Sequence, residues 1–165
     1  MIFPSFGQGQ GKITHKNNQN ITYERVDAFG ERDIVVRALG SNGKWGAVDK
    51  HNKLVIPLKY GFLMPFYEGV ASAYQKKYGK AALINYNGKE LTDFIYDFMN
   101  GCFEGRVCVK LNGKYGFLDR DGKIVIPIIY DWPNDSPFLF KDGKAKVSLD
   151  GEIFFIDING NRILK

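Results

Sequence analysis

The chain has 165 residues, of which 44% are hydrophobic, 15% aromatic and 25% charged, and its formal net charge is +5. This composition is too apolar for a disordered chain and predicts one folded domain, and the small basic excess does not by itself indicate nucleic-acid binding. No stretch approaches the roughly 20 apolar residues of a membrane helix, and the first residues do not resemble a signal peptide, so we expect no membrane insertion and a cytoplasmic location.

The counts of cysteine and histidine argue against a metal site. Cys102 and Cys108 are too few for a disulfide scaffold, and with only His15 and His51 no recognised zinc spacing can be assembled. We interpret the two thiols as small buried hydrophobic groups and keep a bridge between them as the less favoured alternative. We therefore expect no metal and no other cofactor.

In chain order, a leader or cap of residues 1–22 is followed by a repeated sequence. The segment Gly43-Lys44-Trp45-Gly46-Ala47-Val48-Asp49 has counterparts that begin at Gly79, Gly113 and Gly151, at intervals of 36, 34 and 38 residues. A second landmark has a similar period: Tyr23, Tyr60, Tyr96 and Tyr130. Division before each tyrosine gives four units, 23–59, 60–95, 96–129 and 130–165, within a single repeat domain over 23–165.

Each unit predicts three antiparallel strands after a loop that its tyrosine opens. An acidic-glycine turn such as Glu104-Gly105 leads into a strand of alternating pattern, and an apolar strand at about 115–118 follows. A turn with Asp-Gly or Asn-Gly then connects to a third strand. Pro57 and Pro127 are expected to end that strand at a sheet edge, because proline cannot donate to a ladder.

Stacking of the units follows from their size, since three strands cannot bury both faces of the middle strand. We predict an all-β fold, a tandem array of about four three-stranded antiparallel units that is open and solenoid-like. A closed, propeller-like array is the alternative. The open form is favoured because propeller blades usually have about 40 or more residues and four strands.

The best-kept repeats lie in the first and third units, and there the chain resembles the WG-repeat (KWG-repeat) family. The resemblance rests on the segment from Gly43-Lys44-Trp45-Gly46 through Pro57 to Tyr60, and on that from Gly113-Lys114-Tyr115-Gly116 through Pro127 to Tyr130. It covers about residues 23–165, although Ala81-Ala82 and Ile153-Phe154 depart from the Trp-Gly pair. The family is mostly bacterial. The resemblance implies a β-rich interaction module without established catalytic residues.

Repeated polar residues are first explained by the folding of each unit. We assign Asp49, Asp119 and Asp157, with Asn85 in the same position, to turns rather than to acid–base or metal chemistry. Since catalysis rarely needs four copies of one group, we predict no catalytic residues and do not expect an enzyme. An enzymatic role that uses a pocket between units is kept as a third hypothesis.

Two sets of lysines are expected to align when the units stack. They are Lys44, Lys80 and Lys114, and Lys53, Lys89 and Lys123. Lysines at sheet edges discourage aggregation, which is the favoured interpretation. The alternative is a basic track for a nucleic acid, a glycan or another anionic polymer, with exposed aromatic rings beside it.

Positions that interrupt the repeat are the candidates for a binding site. Gly143 follows Tyr130 by 13 residues, whereas Gly105 follows Tyr96 by nine, so this loop is four residues longer. The longer loop supplies Trp132, Asn134 and Asp135, and the second candidate segment supplies Lys76, Lys77 and Tyr78. The alternatives are that Trp132 caps the core between two units and that 76–78 is an ordinary solvated hairpin.

These observations favour a non-catalytic module that binds another protein, in the role of an adaptor, an inhibitor or an immunity-type protein. A binder of an anionic polymer, nucleic acid or glycan is the second hypothesis. The sequence predicts no particular oligomeric state.

Overall fold

The computed structural model describes residues 15–16, 21–133 and 139–164. These residues form fourteen strands and no helix, so the described chain contains no helix that could span a membrane. The strands are β1 His15–Lys16, β2 Thr22–Val26, β3 Val35–Gly40, β4 Trp45–Asp49, β5 Leu54–Tyr60, β6 Phe62–Leu63, β7 Val70–Tyr74, β8 Ala81–Asn85, β9 Phe98–Phe103, β10 Arg106–Leu111, β11 Lys114–Leu118, β12 Ile124–Tyr130, β13 Lys144–Leu149 and β14 Glu152–Asp157.

The strands form four antiparallel sheets in which each strand pairs with its neighbours in the sequence. Sheet one contains β1 to β5, sheet two β6 to β8, sheet three β9 to β12 and sheet four β13 and β14. Over the described ranges, the sheets follow one another along the chain and do not close into a barrel. The all-β, open and solenoid-like repeat array is thereby confirmed. The division into units at the four tyrosines stays a prediction, and most of the predicted leader lies outside the described residues.

The loop predicted after each tyrosine contains a strand in the second and third units. β6 begins two residues after Tyr60, and β9 begins two residues after Tyr96. β9 pairs with β10 on one side, and on the other side its backbone is bound by side chains of sheet two. The Tyr74 hydroxyl donates to the Met99 carbonyl oxygen at 2.8 Å, and the Ser72 hydroxyl donates to that of Asn100 at 2.6 Å. The sequence of β9 alone does not reveal partners that lie about 25 residues away.

The two prolines do not end their strands, so that prediction was wrong. β5 continues from Pro57 to Tyr60, and β12 continues from Pro127 to Tyr130. The pairing between β4 and β5 is irregular here, because it moves from Ala47 opposite Ile56 to Trp45 opposite Tyr60. β5 and β12 are edge strands of their sheets and both prolines are exposed, so the missing N–H is tolerated within the irregular segment.

The glycine of the Trp-Gly pair makes room for this irregular strand. A Cβ atom at Gly46 would lie 2.3 Å from the Ile56 carbonyl oxygen, and one at Gly116 would lie 2.7 Å from the Ile128 Cα. The other two units have Ala82 and Phe154 in this position. There the third segment is reduced to isolated bridges, which pair Ile84 with Glu90 and Ile156 with Arg162.

The repeated aspartates are turn residues, as predicted. The Asp49 Oδ1 accepts hydrogen bonds from the N–H groups of His51 and Lys53, both at 2.9 Å. The Lys53 N–H is the main reason that the pKa of Asp49 lies below its ordinary value. The same pair of contacts recurs at Asn85, Asp119 and Asp157.

A second set of carboxylates links consecutive units, and we call it the turn latch. The Glu68 carboxylate accepts the N–H groups of Glu104 and Gly105, at 2.9 and 2.8 Å. In turn, the Glu104 carboxylate accepts those of Asp142 and Gly143, at 2.8 and 2.9 Å. The turns at Glu104-Gly105 and Asp142-Gly143 thus present their backbone donors to the acidic side chain of the preceding turn.

The buried side chains of the described residues form four clusters, and three of these clusters join neighbouring sheets. These three connect sheet one to two, sheet two to three and sheet three to four, and the fourth lies within sheet one and around Ile21. Cys102 and Cys108 are buried in the core and form no disulfide, which agrees with their interpretation as small buried hydrophobic groups. Burial raises the pKa of the Cys102 thiol to about 12 and that of Cys108 well above its ordinary value.

Candidate functional site

One kind of aromatic pair recurs along the array, between the Trp-Gly position of one unit and the residue two places after the next tyrosine. The ring centre of Trp45 lies 6.1 Å from that of Phe62, and the ring centre of Tyr115 lies 5.4 Å from that of Trp132. Trp45 and Tyr115 occupy the same repeat position, and Phe62 and Trp132 each come two residues after the tyrosine of a unit. One repeated contact therefore joins sheets one and two and also joins sheet three to the segment that follows it.

The junction between sheets two and three departs from this arrangement. Ala81 stands in the position of Trp45 and Tyr115, and Phe98 stands in the position of Phe62 and Trp132. The aromatic ring comes instead from Tyr74, which lies opposite Ala81 across the β7–β8 pair. The Tyr74 ring centre lies 6.1 Å from that of Phe62.

A groove opens at this junction, and we call it the junction groove. Its volume is about 410 Å³, which falls in the range of pockets that accept a small ligand or a side chain. Its apolar lining consists of Phe62, Met64, Tyr74, Tyr78, Phe98 and Met99. Phe98 is 39% exposed and Tyr78 is 90% exposed, so large aromatic surfaces here face solvent.

Part of the predicted segment 76–78 lines this groove. The segment lies in the hairpin between β7 and β8, and all three side chains are exposed. Lys77 and Tyr78 line the groove, and the Lys77 Nζ lies 5.5 Å from the centre of the Tyr78 ring. Lys76 is exposed beside them. The solvated-hairpin interpretation is therefore correct for the backbone, yet two of its side chains also border an apolar groove.

Trp132 lies two residues beyond Tyr130, the last residue of β12, and combines both of its predicted environments. Its ring contacts Tyr115, as expected for a side chain that covers the core, and 41% of its surface is exposed. It does not line the junction groove. Asn134 and Asp135, which the sequence grouped with it, lie outside the described residues.

Sequence reasoning missed five apolar or aromatic residues of the groove, namely Phe62, Met64, Tyr74, Phe98 and Met99. A signal for two of them was present in the repeat. Phe62, Phe98 and Trp132 share one position, and the aromatic residue that contacts this position in the other units is replaced by Ala81 in the second unit. A departure from the pattern at Ala81 therefore marks the place where an aromatic contact is lost.

Ion pairs reduce the free charge of the first lysine set. Lys80 pairs with Asp97 at 2.5 Å, and Lys114 pairs with Asp131 at 2.7 Å. The hydrogen bond from Lys80 is the main cause that holds the pKa of Asp97 below its ordinary value. The second lysine set, Lys53, Lys89 and Lys123, is exposed. Within the described residues, no group of three or more His, Cys, Asp or Glu side chains could hold a metal ion.

Comparison with known proteins identifies the repeat. The family profile described as "WG containing repeat" matches residues 45–78, 83–115 and 115–152. No curated protein matches the chain. Among solved structures, it is similar to the computationally designed Ika8 protein, with 14% sequence identity and a TM-score of 0.44. That alignment covers 90% of this chain and 49% of the designed protein, so the chain spans about half the length of that protein.

Proposed function

Because the chain belongs to the WG-repeat family, we propose that it is a non-catalytic binding module that holds a protein partner on its repeat surface. The observation that carries this proposal is the junction groove, with its exposed rings of Tyr78 and Phe98. An adaptor, inhibitor or immunity-type role is compatible with a module of this kind.

Physical arguments favour a protein as the partner. Aromatic residues and Met are enriched at the centres of protein interfaces, where a few large side chains supply most of the binding energy, and charged residues lie at the rim. The junction groove combines exposed aromatic surface with Lys77 at its rim. Burial of these rings against a partner removes apolar surface from water, which is the main favourable term in association.

Binding of an anionic polymer is the second candidate, and the net charge of +5 favours it. The ion pairs of Lys80 and Lys114 with aspartates weaken it, because a polyanion would have to displace those carboxylates to use the lysines. Of the two lysine sets, this leaves Lys44, Lys53, Lys89 and Lys123 as exposed side chains without an ion pair among the described residues. A protein partner is therefore the better-supported proposal.

Affinity capture with the immobilised full chain separates the two candidates. We expect the wild-type chain to retain a protein that the Tyr78→Ala variant does not retain. Phe155→Ala is the matched control and should retain it, because Phe155 is an exposed aromatic residue on β14, away from the groove. In parallel, retention on heparin and DNA columns is measured as a function of salt. Steeply salt-dependent retention without a captured protein would favour the anionic polymer instead.

A further inference from the structure

We propose that the junction groove binds an acidic peptide segment of the partner through one large apolar side chain of that segment. This inference rests on the proposed function and names the chemistry of the partner. It requires three features of the groove: free apolar surface, a backbone that cannot accept an added strand, and an uncompensated positive charge at the rim.

The free apolar surface follows from the change at Ala81. At the other two junctions the aromatic residue that follows the tyrosine lies against Trp45 or Tyr115. Phe98 has no such ring contact within the described chain, because the corresponding side chain is only a methyl group. A partner that inserts a large apolar side chain here restores the kind of contact that the array makes at its other junctions.

The peptide is recognised by its side chains and not by strand addition. β9 is the edge strand that faces the groove, and an exposed edge would allow a peptide to pair with it. The Tyr74 hydroxyl occupies both backbone groups of Met99, with distances of 2.8 and 3.2 Å, and Ser72 occupies the carbonyl oxygen of Asn100.

The rim of the groove carries net positive charge. Lys76 and Lys77 are exposed, and no carboxylate pairs with either of them among the described residues. The acidic side chain at the groove, Asp97, is already occupied by the Lys80 Nζ on one oxygen and by the Asn112 N–H on the other. An acidic residue of the peptide next to the apolar anchor would therefore find cations without a competing carboxylate.

The test uses random dodecapeptides displayed on phage and selected on the immobilised full chain. We expect the enriched peptides to combine a Trp, Phe, Leu or Met with at least two acidic residues. Their affinity, measured by fluorescence polarisation with the synthetic peptides, should fall about tenfold or more with Tyr78→Ala and with Lys77→Glu. The control is Lys50→Glu, which makes the same charge change in an exposed turn and should alter affinity less than about twofold.

The outcomes are distinguishable from one another. Tyr78 is 90% exposed, so the Tyr78→Ala variant is expected to fold, and thermal unfolding checks this. Enriched peptides without acidic residues, or peptides whose affinity both groove variants leave unchanged, would overturn the inference. Peptides that instead lose affinity with Trp132→Ala would overturn it while the proposed function stands. Failure to enrich any peptide overturns the inference, and failure to capture any protein as well removes the proposed function.

Discussion

At the residue scale, the glycine of the Trp-Gly pair is explained by the neighbouring strand and not by its own backbone angles. Gly46 and Gly116 are absent from the residues with positive φ, yet a side chain at either position would collide with the backbone of the third strand. In the units with Ala82 and Phe154 the third strand is reduced to a bridge. The glycine and the long edge strand therefore occur together because one creates space for the other.

We expect Gly46→Ala to lower the free energy of unfolding by roughly 3 kcal/mol, since the added methyl group overlaps the Ile56 carbonyl oxygen. The matched control is Gly43→Ala, whose φ is 71° but whose added Cβ would meet no atom within 4 Å. That variant should lose only about 1 kcal/mol, for the left-handed backbone conformation. Urea unfolding measures both, and equal losses would show that the close approach of the third strand does not matter.

At the element scale, the turn latch connects elements that are about 36 residues apart. Glu68 and Glu104 each close two hydrogen bonds to the next turn. Asp142 occupies the same position in the last turn, and no described N–H group donates to its carboxylate. The three acidic residues are equivalent in sequence and have positive φ values of 49°, 52° and 54°, so they differ mainly in what their side chains bind.

This difference gives a matched pair of substitutions. Glu104→Gln replaces a carboxylate by an amide that offers one acceptor oxygen to two donors, and we expect a loss of about 1–2 kcal/mol in the free energy of unfolding. Asp142→Asn makes the same chemical change without a latch to break and should change stability by less than about 0.5 kcal/mol. Native-state hydrogen exchange should also show faster exchange of the Gly143 amide in Glu104→Gln alone. Unchanged exchange of that amide would contradict the latch.

Local chemistry predicted the turns and the strands next to them, because their determinants lie within a few residues. The Asp49 turn and the strands β10 and β11 are examples, in which a side chain bonds a nearby N–H or an apolar pattern has a period of two. β9 and the junction groove were not predicted, because they depend on contacts between units. The hydroxyl groups of Ser72 and Tyr74 bind the backbone of β9, and the groove forms where Ala81 stands in place of an aromatic residue. A single unit contains only half of each arrangement.

At the scale of the whole molecule, the core is divided into clusters that follow the chain. Each of the three junction clusters contains residues from two consecutive sheets, and none of them contains residues from both sheet one and sheet three. The turn latch has the same nearest-neighbour pattern. Stability in such an array is approximately a sum of unit terms and junction terms, so different parts of the molecule are expected to open at different free energies.

We therefore expect a core truncation to act mainly near its own end of the array. Val147 is fully buried in the cluster between sheets three and four, and Val147→Ala should cost about 2 kcal/mol there. Native-state hydrogen exchange should then show the largest loss of protection in β13 and β14, with β3 and β4 nearly unchanged. Val36→Ala, a buried residue of sheet one, is the reciprocal variant and should reverse this pattern. An equal loss of protection in all strands for both variants would contradict this expectation. It would mean that the described sheets unfold as one cooperative unit.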